Sequence, residues 1–180
     1  MPDEEPEAAV ARAVESGTDA IAVPAELLEE HDEQPGVPAR PPPESLWARV
    51  GTMDMAEKIK LAPRGNKDAR TILVRDVNRV IRRLVLHNPR MTDQEALAVA
   101  RNRSVDDELL RLIADRRDWM RNYQVRLALT TNPKTPVAIA LKQLSSLGDR
   151  DLRQLARSRN VPDAVSAQAR RMVLSHGGPG

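Results

Sequence analysis

VIRRLVLHNPRMT (80–92) and QVRLALTTNPKTP (124–136) are two copies of one phrase, 44 residues apart. Each carries an apolar residue, Arg and an apolar pair into Asn-Pro, and then a Thr able to open the next helix. A second pair recurs as ARNRSVDD (100–107) and ARSRNVPD (156–163). Self-similarity on this scale marks stacked helical units, none of which can bury its apolar face alone. The spacing is not uniform: Asn88 to Ala100 is 12 residues and Asn132 to Ala156 is 24, which predicts an extra helix in the later unit.

Working outward from these phrases, the chain reads as nine short helices, at 53–61, 67–74, 78–87, 93–101, 106–114, 122–131, 136–144, 149–157 and 162–174. Asn66 is a candidate N-cap, and Thr92 with Glu95 forms a capping box. Thr135 is the expected cap of the helix that Pro136 opens. The loops run about two to six residues, which suits antiparallel neighbours. No run shows strand alternation between turn signals. The expected fold is all-α.

Composition bounds the rest. The 180 residues suffice for one ordinary domain and a tail, and there is no Cys, which excludes disulfides and thiolate chemistry. No apolar run approaches the ~18 residues of a membrane span, and the acidic N-terminus is unlike a signal peptide. These features predict a soluble cytoplasmic protein. Arg outnumbers Lys 23 to 5 among abundant Ala and Pro, which points to a GC-rich bacterial genome.

Charge is sharply partitioned. Residues 1–44 hold 12 Asp/Glu against Arg12 and Arg40, whereas residues 45–180 hold 26 Lys/Arg against 14 Asp/Glu. Halves of opposite sign attract each other or recruit different partners. Residues 1–44 are expected to be a disordered acidic, Pro-rich tail, because so few large apolar side chains cannot offset the entropy of ordering. Two short helical stretches are foreseen inside it, at 8–15 and at 20–30. The latter carries Ile21, Val23, Leu27 and Leu28, with Pro24 marking where a helix would begin.

Over roughly residues 76–172 the chain resembles HEAT-like and leucine-rich-variant helical repeats. Asp76 and Arg82 stand six apart around an apolar residue, as in the HEAT phrase; Asp118 and Arg126 stand eight apart. Asn132-Pro133-Lys134-Thr135-Pro136 resembles the leucine-rich-variant loop. AEKIKLAPRGNKDAR (56–70) is similar to the start of certain small bacterial proteins. The resemblance implies a short right-handed HEAT-like α-solenoid at 45–180 that serves for binding, and it transfers no activity.

Arg82 and Arg126 hold matching places and are expected to form a structural ladder to acids or carbonyls. Arg83 points about 100° away from Arg82 on a helix and is a surface candidate, as is Arg79. Trp119 and Tyr123 are four apart, with Arg116, Arg117 and Arg121 around them. On one helix both rings would share a face, either as core packing or as an exposed aromatic-basic patch. Arg79, Arg83, Arg116, Arg117, Trp119, Arg121 and Tyr123 are therefore the candidate partner-binding residues.

No set of residues commits to a reaction. His31, His87 and His176 are scattered, Ser145-Ser146 has no base at a diagnostic spacing, and Gly65-Asn66-Lys67 lacks the other glycines of a phosphate loop. Asp106, Asp107 and Glu108 are ordinary acids of a helix's first turn. No metal and no cofactor are expected. The sequence predicts a non-enzymatic protein-binding module or adaptor whose partner is an acidic protein or peptide segment. The alternative is sequence-independent nucleic-acid binding through the basic surface, although few aromatics are present for base stacking.

Overall fold

Short polar residues placed ahead of apolar runs start most of the helices. Asp54 and Glu57 exchange side-chain and backbone bonds in a capping box, as do Thr92 and Glu95. Asn66, Asn78 and Asn122 each accept from a backbone N–H of the following turn. The computed structural model describes residues 23–30 and 42–176. Among them are a 3-10 turn at Ala25–Leu27, eleven α-helices and no strand. The helices are α1 (Glu44–Thr52), α2 (Met55–Leu61), α3 (Lys67–Leu73), α4 (Arg79–Leu86), α5 (Asp93–Arg101) and α6 (Asp107–Asp115). They continue with α7 (Arg117–Arg121), α8 (Tyr123–Thr131), α9 (Val137–Leu144), α10 (Asp149–Arg157) and α11 (Asp163–His176).

The described residues are all-helical, as the sequence predicts, and all nine expected helices are present. Two more were not foreseen. Helix α1 begins at Glu44 directly after the Pro run, and Gly51 near its end lowers its propensity. Helix α7 is one short turn between two extended residues, Arg116 and Asn122. The break at Asn122 puts Trp119 and Tyr123 on separate helices, so they do not form the expected single face.

The chain divides into two compact units, Met1–Met91 and Thr92–Gly180. In the first, α1 packs on α3, and α4 packs on α2 and α3. Its core holds Leu27, Val50, Leu61, Leu73, Ile81, Val85 and Leu86. In the second, α8 packs on α5 and α9, and α11 on α9 and α10. There Leu144, Leu152, Leu155 and Val165 form a core cluster flanked by Tyr123, Leu127 and Met172.

The repeated phrases fold into one kind of loop. In 88–92, 102–106 and 132–136 the first residue is Asn, whose side-chain oxygen accepts from the N–H two residues on at 2.9 Å. Ser158 does the same for Asn160 at 3.2 Å. The fourth residue of each loop turns inward and is buried: Met91, Val105, Thr135 and Val161. Asn88 and Asn132 do more. Asn88 donates both amide protons to the carbonyls of Ala62 and Gly65, at 3.1 and 3.0 Å. Asn132 donates to those of Ala100 and Asn102, at 2.7 and 3.0 Å. Each thus satisfies orphan carbonyls at the end of an earlier helix.

Thr135 departs from expectation. The residue ahead of α9 is Pro136, with no side-chain cap. Thr135 instead fills the inward position, and its hydroxyl has no hydrogen-bond partner.

The expected disordered tail spans 1–44, of which 1–22 and 31–41 lie outside the described residues, as does the helical stretch at 8–15. Residues 23–30 are ordered where a tail was expected, and the helical stretch foreseen at 20–30 is a 3-10 turn that opens at Pro24. They fold onto the first unit and bury Leu27 completely, at 0 % exposure. The physical reason is long-range: one Leu at the right place suffices when Asn66 and Arg90, distant in sequence, supply donors to the carbonyls around it.

Candidate peptide-binding site

The first unit holds residues 23–30 in a seat built from the loop after α2, the first turn of α3, and single side chains of α1 and the 88–92 loop. Pro24 opens the 3-10 turn, and its carbonyl accepts from Leu27 N–H at 3.0 Å. Ala25 O accepts from Leu28 and Glu29 N–H, and the carbonyls from Glu26 to Glu29 receive their donors from the rest of the unit. Asn66 Nδ2 donates to Glu26 O at 2.7 Å and to Glu29 O at 2.9 Å. Asn66 backbone N–H donates to Leu27 O at 2.7 Å. Arg90 Nη1 donates to Leu28 O at 2.9 Å. Four consecutive carbonyls, 26 to 29, are therefore read by the folded unit.

The side chains add selectivity. Arg49 pairs with Glu26, and Arg70 pairs with Glu30, whose second oxygen accepts from Lys67 N–H at 3.2 Å. Arg70 is 3 % exposed and also donates to Gly65 O at 3.0 Å. A guanidinium buried this deeply requires acceptors on its planar fork, and a carboxylate is the strongest available. The Arg49–Glu26 pair is half exposed and contributes about 0–1 kcal/mol. Burying Leu27 contributes roughly 1.5–3 kcal/mol, so Leu27 is the anchor and the carboxylates tune the fit.

Asn66 is 2 % exposed and is satisfied on every side, because its Oδ1 also caps α3 at Ala69 N–H. Gly65 sits where a Cβ would lie 2.7 Å from Ala69 Cβ and 3.0 Å from Leu61 O, so the tight loop that presents Asn66 requires glycine. Gly65 O receives both Arg70 and Asn88, which ties the seat to the end of α4.

The residues nominated from sequence are not gathered at this seat. On α4, Arg79 is exposed and Arg83 is half-buried. In the second unit Trp119 is 3 % exposed, so the ring belongs to the core and offers no face to a partner. Arg116 lies over that ring at 4.7 Å, and Arg117 is exposed. Arg121 is exposed and faces Asp118 at 3.7 Å. Tyr123 donates its hydroxyl proton to Asp151 and accepts from Gly148 N–H at 3.1 Å. The carboxylate beside the phenol holds its pKa above 10.0. The exposed aromatic-basic patch is therefore absent from this segment.

Arg126 Nη1 donates to Met120 O and Arg121 O at 2.7 and 3.0 Å, which is the structural role foreseen for it. Arg82 is half-buried on α4.

Sequence reasoning missed Asn66, Arg70, Arg49 and Arg90 as contacts. The available signal was the pair Leu27-Leu28 in an otherwise acidic stretch. Such a pair is out of place in a purely solvating tail.

Among the described residues no three His, Asp or Glu side chains are placed to share a metal ion, and no helix is long and apolar enough to cross a membrane. No family model, curated protein or solved structure matches the chain.

Proposed function

We propose that this protein is a non-enzymatic protein-binding adaptor, a short HEAT-like helical stack that holds acidic, leucine-bearing peptide segments. One observation carries the reading: the first unit reads four consecutive main-chain carbonyls of an acidic segment and buries the leucine between them. Main-chain bonds of this kind supply affinity, and side-chain seats supply the choice of sequence. Arg70 and Arg49 make acid the favoured flank. A panel of acidic and neutral peptides, with and without leucine, titrated against the full chain tests this. Acidic leucine peptides should bind best. Equal binding of the neutral set sinks the reading.

Nucleic-acid binding is the second reading, and helix α10 is the observation that favours it. Arg150, Arg153 and Arg157 fall at i, i+3 and i+7, all exposed, with Arg159 exposed in the next loop. A stripe of this spacing matches phosphate neutralisation. A salt titration with mixed-sequence duplex separates the two. Binding tighter than roughly 10⁻⁶ M at physiological salt with a steep salt slope favours nucleic acid; ordinary non-specific binders lie at about 10⁻⁴–10⁻⁶ M.

A further inference from the structure

We infer that residues 24–30 are an exchangeable occupant of their seat, and that the seat's outside partner is a protein segment of the pattern Pro-x-Glu-Leu-x-x-Glu. The inference rests on the proposed binding function and says which segment is taken and how access is controlled.

Three observations lead to it. The occupant is read as a peptide would be: through its carbonyls, with one leucine buried and a carboxylate at each end. It is short, a single 3-10 turn whose internal bonds are Leu27 to Pro24, Leu28 to Ala25 and Glu29 to Ala25. It is also tethered: residues 31–41, with Pro35, Pro38 and Pro41 among them, join it to α1. A segment that contributed only to the core could have been continuous with a helix. This one is held by side chains and by the backbone N–H groups of Asn66 and Lys67, and an external segment with the same groups would meet the same donors.

The pattern follows from the contacts. Pro24 opens the turn, Glu26 faces Arg49, Leu27 is the buried anchor, and Glu30 reaches Arg70 and Lys67 N–H. Leu28 and Glu29, half-buried and exposed, are read through their carbonyls, and Ala25 is exposed with its carbonyl bonded within the turn. A tether of this length holds its ligand at an effective concentration on the order of millimolar. Against a trans Kd of about 100 μM, that competition weakens outside binding roughly tenfold. The occupant therefore sets a threshold: only a segment that is locally abundant, or that makes further contacts, displaces it.

The test uses the full chain and a fluorescent peptide of residues 23–30. Three proteins are compared: wild type, Leu27→Asp, and the milder Glu26→Ala/Glu30→Ala, each checked for helix content by circular dichroism. Leu27→Asp disables the tethered occupant and should bind the free peptide about tenfold or more tighter than wild type, with the double variant between them. Adding Arg70→Ala to Leu27→Asp should abolish that gain. Equal binding by wild type and Leu27→Asp overturns the inference but leaves acidic-segment binding standing at another surface. No binding by any folded form of this or any acidic leucine peptide overturns the proposed function as well. A concentration-dependent dimer of wild type that Leu27→Asp dissolves would make a second copy the outside occupant, and would overturn the partner assigned here.

Discussion

Asn132 donates an amide proton to the carbonyl of Ala100 at 2.7 Å, across 32 residues of sequence. Its second amide proton goes to Asn102 O, and its oxygen accepts from Lys134 N–H. One buried side chain thus fills three main-chain needs, and no other neutral residue of its size has two donors and an acceptor in one plane. Asn88 repeats the arrangement in the first unit with Ala62, Gly65 and Arg90. The Asn of the Asn-Pro phrase is therefore a joint between segments. The Pro that follows stops the preceding helix where the joint needs it.

Replacing Asn132 with Ala should leave the buried carbonyl of Ala100 and the part-buried one of Asn102 unpaired, at roughly 1–3 kcal/mol each. For a chain of this size each kcal/mol shifts Tm by about 2–4 °C, so a fall on the order of 10 °C is expected. Asn132→Asp should be no milder, because a carboxylate cannot donate. Asn102→Ala, at an exposed position that makes the local turn, should cost far less. Thermal melts of the three variants give the order.

Thr135 holds the inward position that Val105 and Val161 hold in the sister loops, and its hydroxyl has no partner. Thr135→Val keeps the shape and removes a buried polar group. It should raise stability by about 1 kcal/mol. A denaturant midpoint that falls would mean the hydroxyl is satisfied in solution, for example by a buried water.

The helices were legible because their signals are local. Asn66, Asn78, Thr92 and Asn122 sit directly before apolar runs, and the repeat confirms the boundaries twice over. What was not legible depends on partners distant in sequence. Thr135 read as a cap because Thr before Pro is a cap signal; its loop instead has the side-chain turn of its sisters, which puts the fourth residue inward. Trp119 and Tyr123 would share a face only on one continuous helix, and Asn122, itself the start of the helix expected at 122–131, is the boundary that separates them. Residues 23–30 read as tail because composition averages over a window. One buried Leu27 and the bonds from Asn66 and Arg90, 40 and 62 residues away, override that average.

Tyr123 gives the alkaline limb of stability. Its hydroxyl donates to Asp151, and the carboxylate raises its pKa above the ordinary 10.0. A group whose folded pKa is raised adds stability that is fully present below the unfolded value and lost as pH climbs through the folded one. The contribution should hold to about pH 10 and decline above it. Tyr123 is the chain's one tyrosine, so its phenolate absorbance can be titrated without overlap. The midpoint should lie above 10 in the folded protein and return to the ordinary value in denaturant. Asp151→Asn should lower the folded midpoint. A Tyr123→Phe variant should lose the pH-dependent difference from wild type above pH 10; identical alkaline profiles would refute the assignment.

Glycine at 65 is required for a reason that Gly51 lacks, and the pair forms an internal control. A Cβ on Gly65 would press on Ala69 Cβ at 2.7 Å and on Leu61 O at 3.0 Å, neither of them the tip of a flexible side chain. The loop must shift, and the strain reaches the seat directly. Asn66 is the next residue, and Gly65 O is the acceptor for both Arg70 and Asn88. Gly65→Ala should destabilise the first unit by about 1–3 kcal/mol, the usual cost of overpacking. It should also release residues 23–30 before α3 or α4 loosens, because the carbonyls of 26, 27 and 29 depend on Asn66 being held in place. Gly51, within α1, has open space around its Cβ position. There, Ala should stabilise by roughly 0.5–1 kcal/mol through helix propensity alone. Hydrogen exchange on both variants reads the outcome: faster exchange at 27–29 in Gly65→Ala, unchanged or slower exchange across α1 in Gly51→Ala. If Gly65→Ala leaves 27–29 as protected as in wild type, the loop can absorb the methyl group and the seat does not depend on its tight turn.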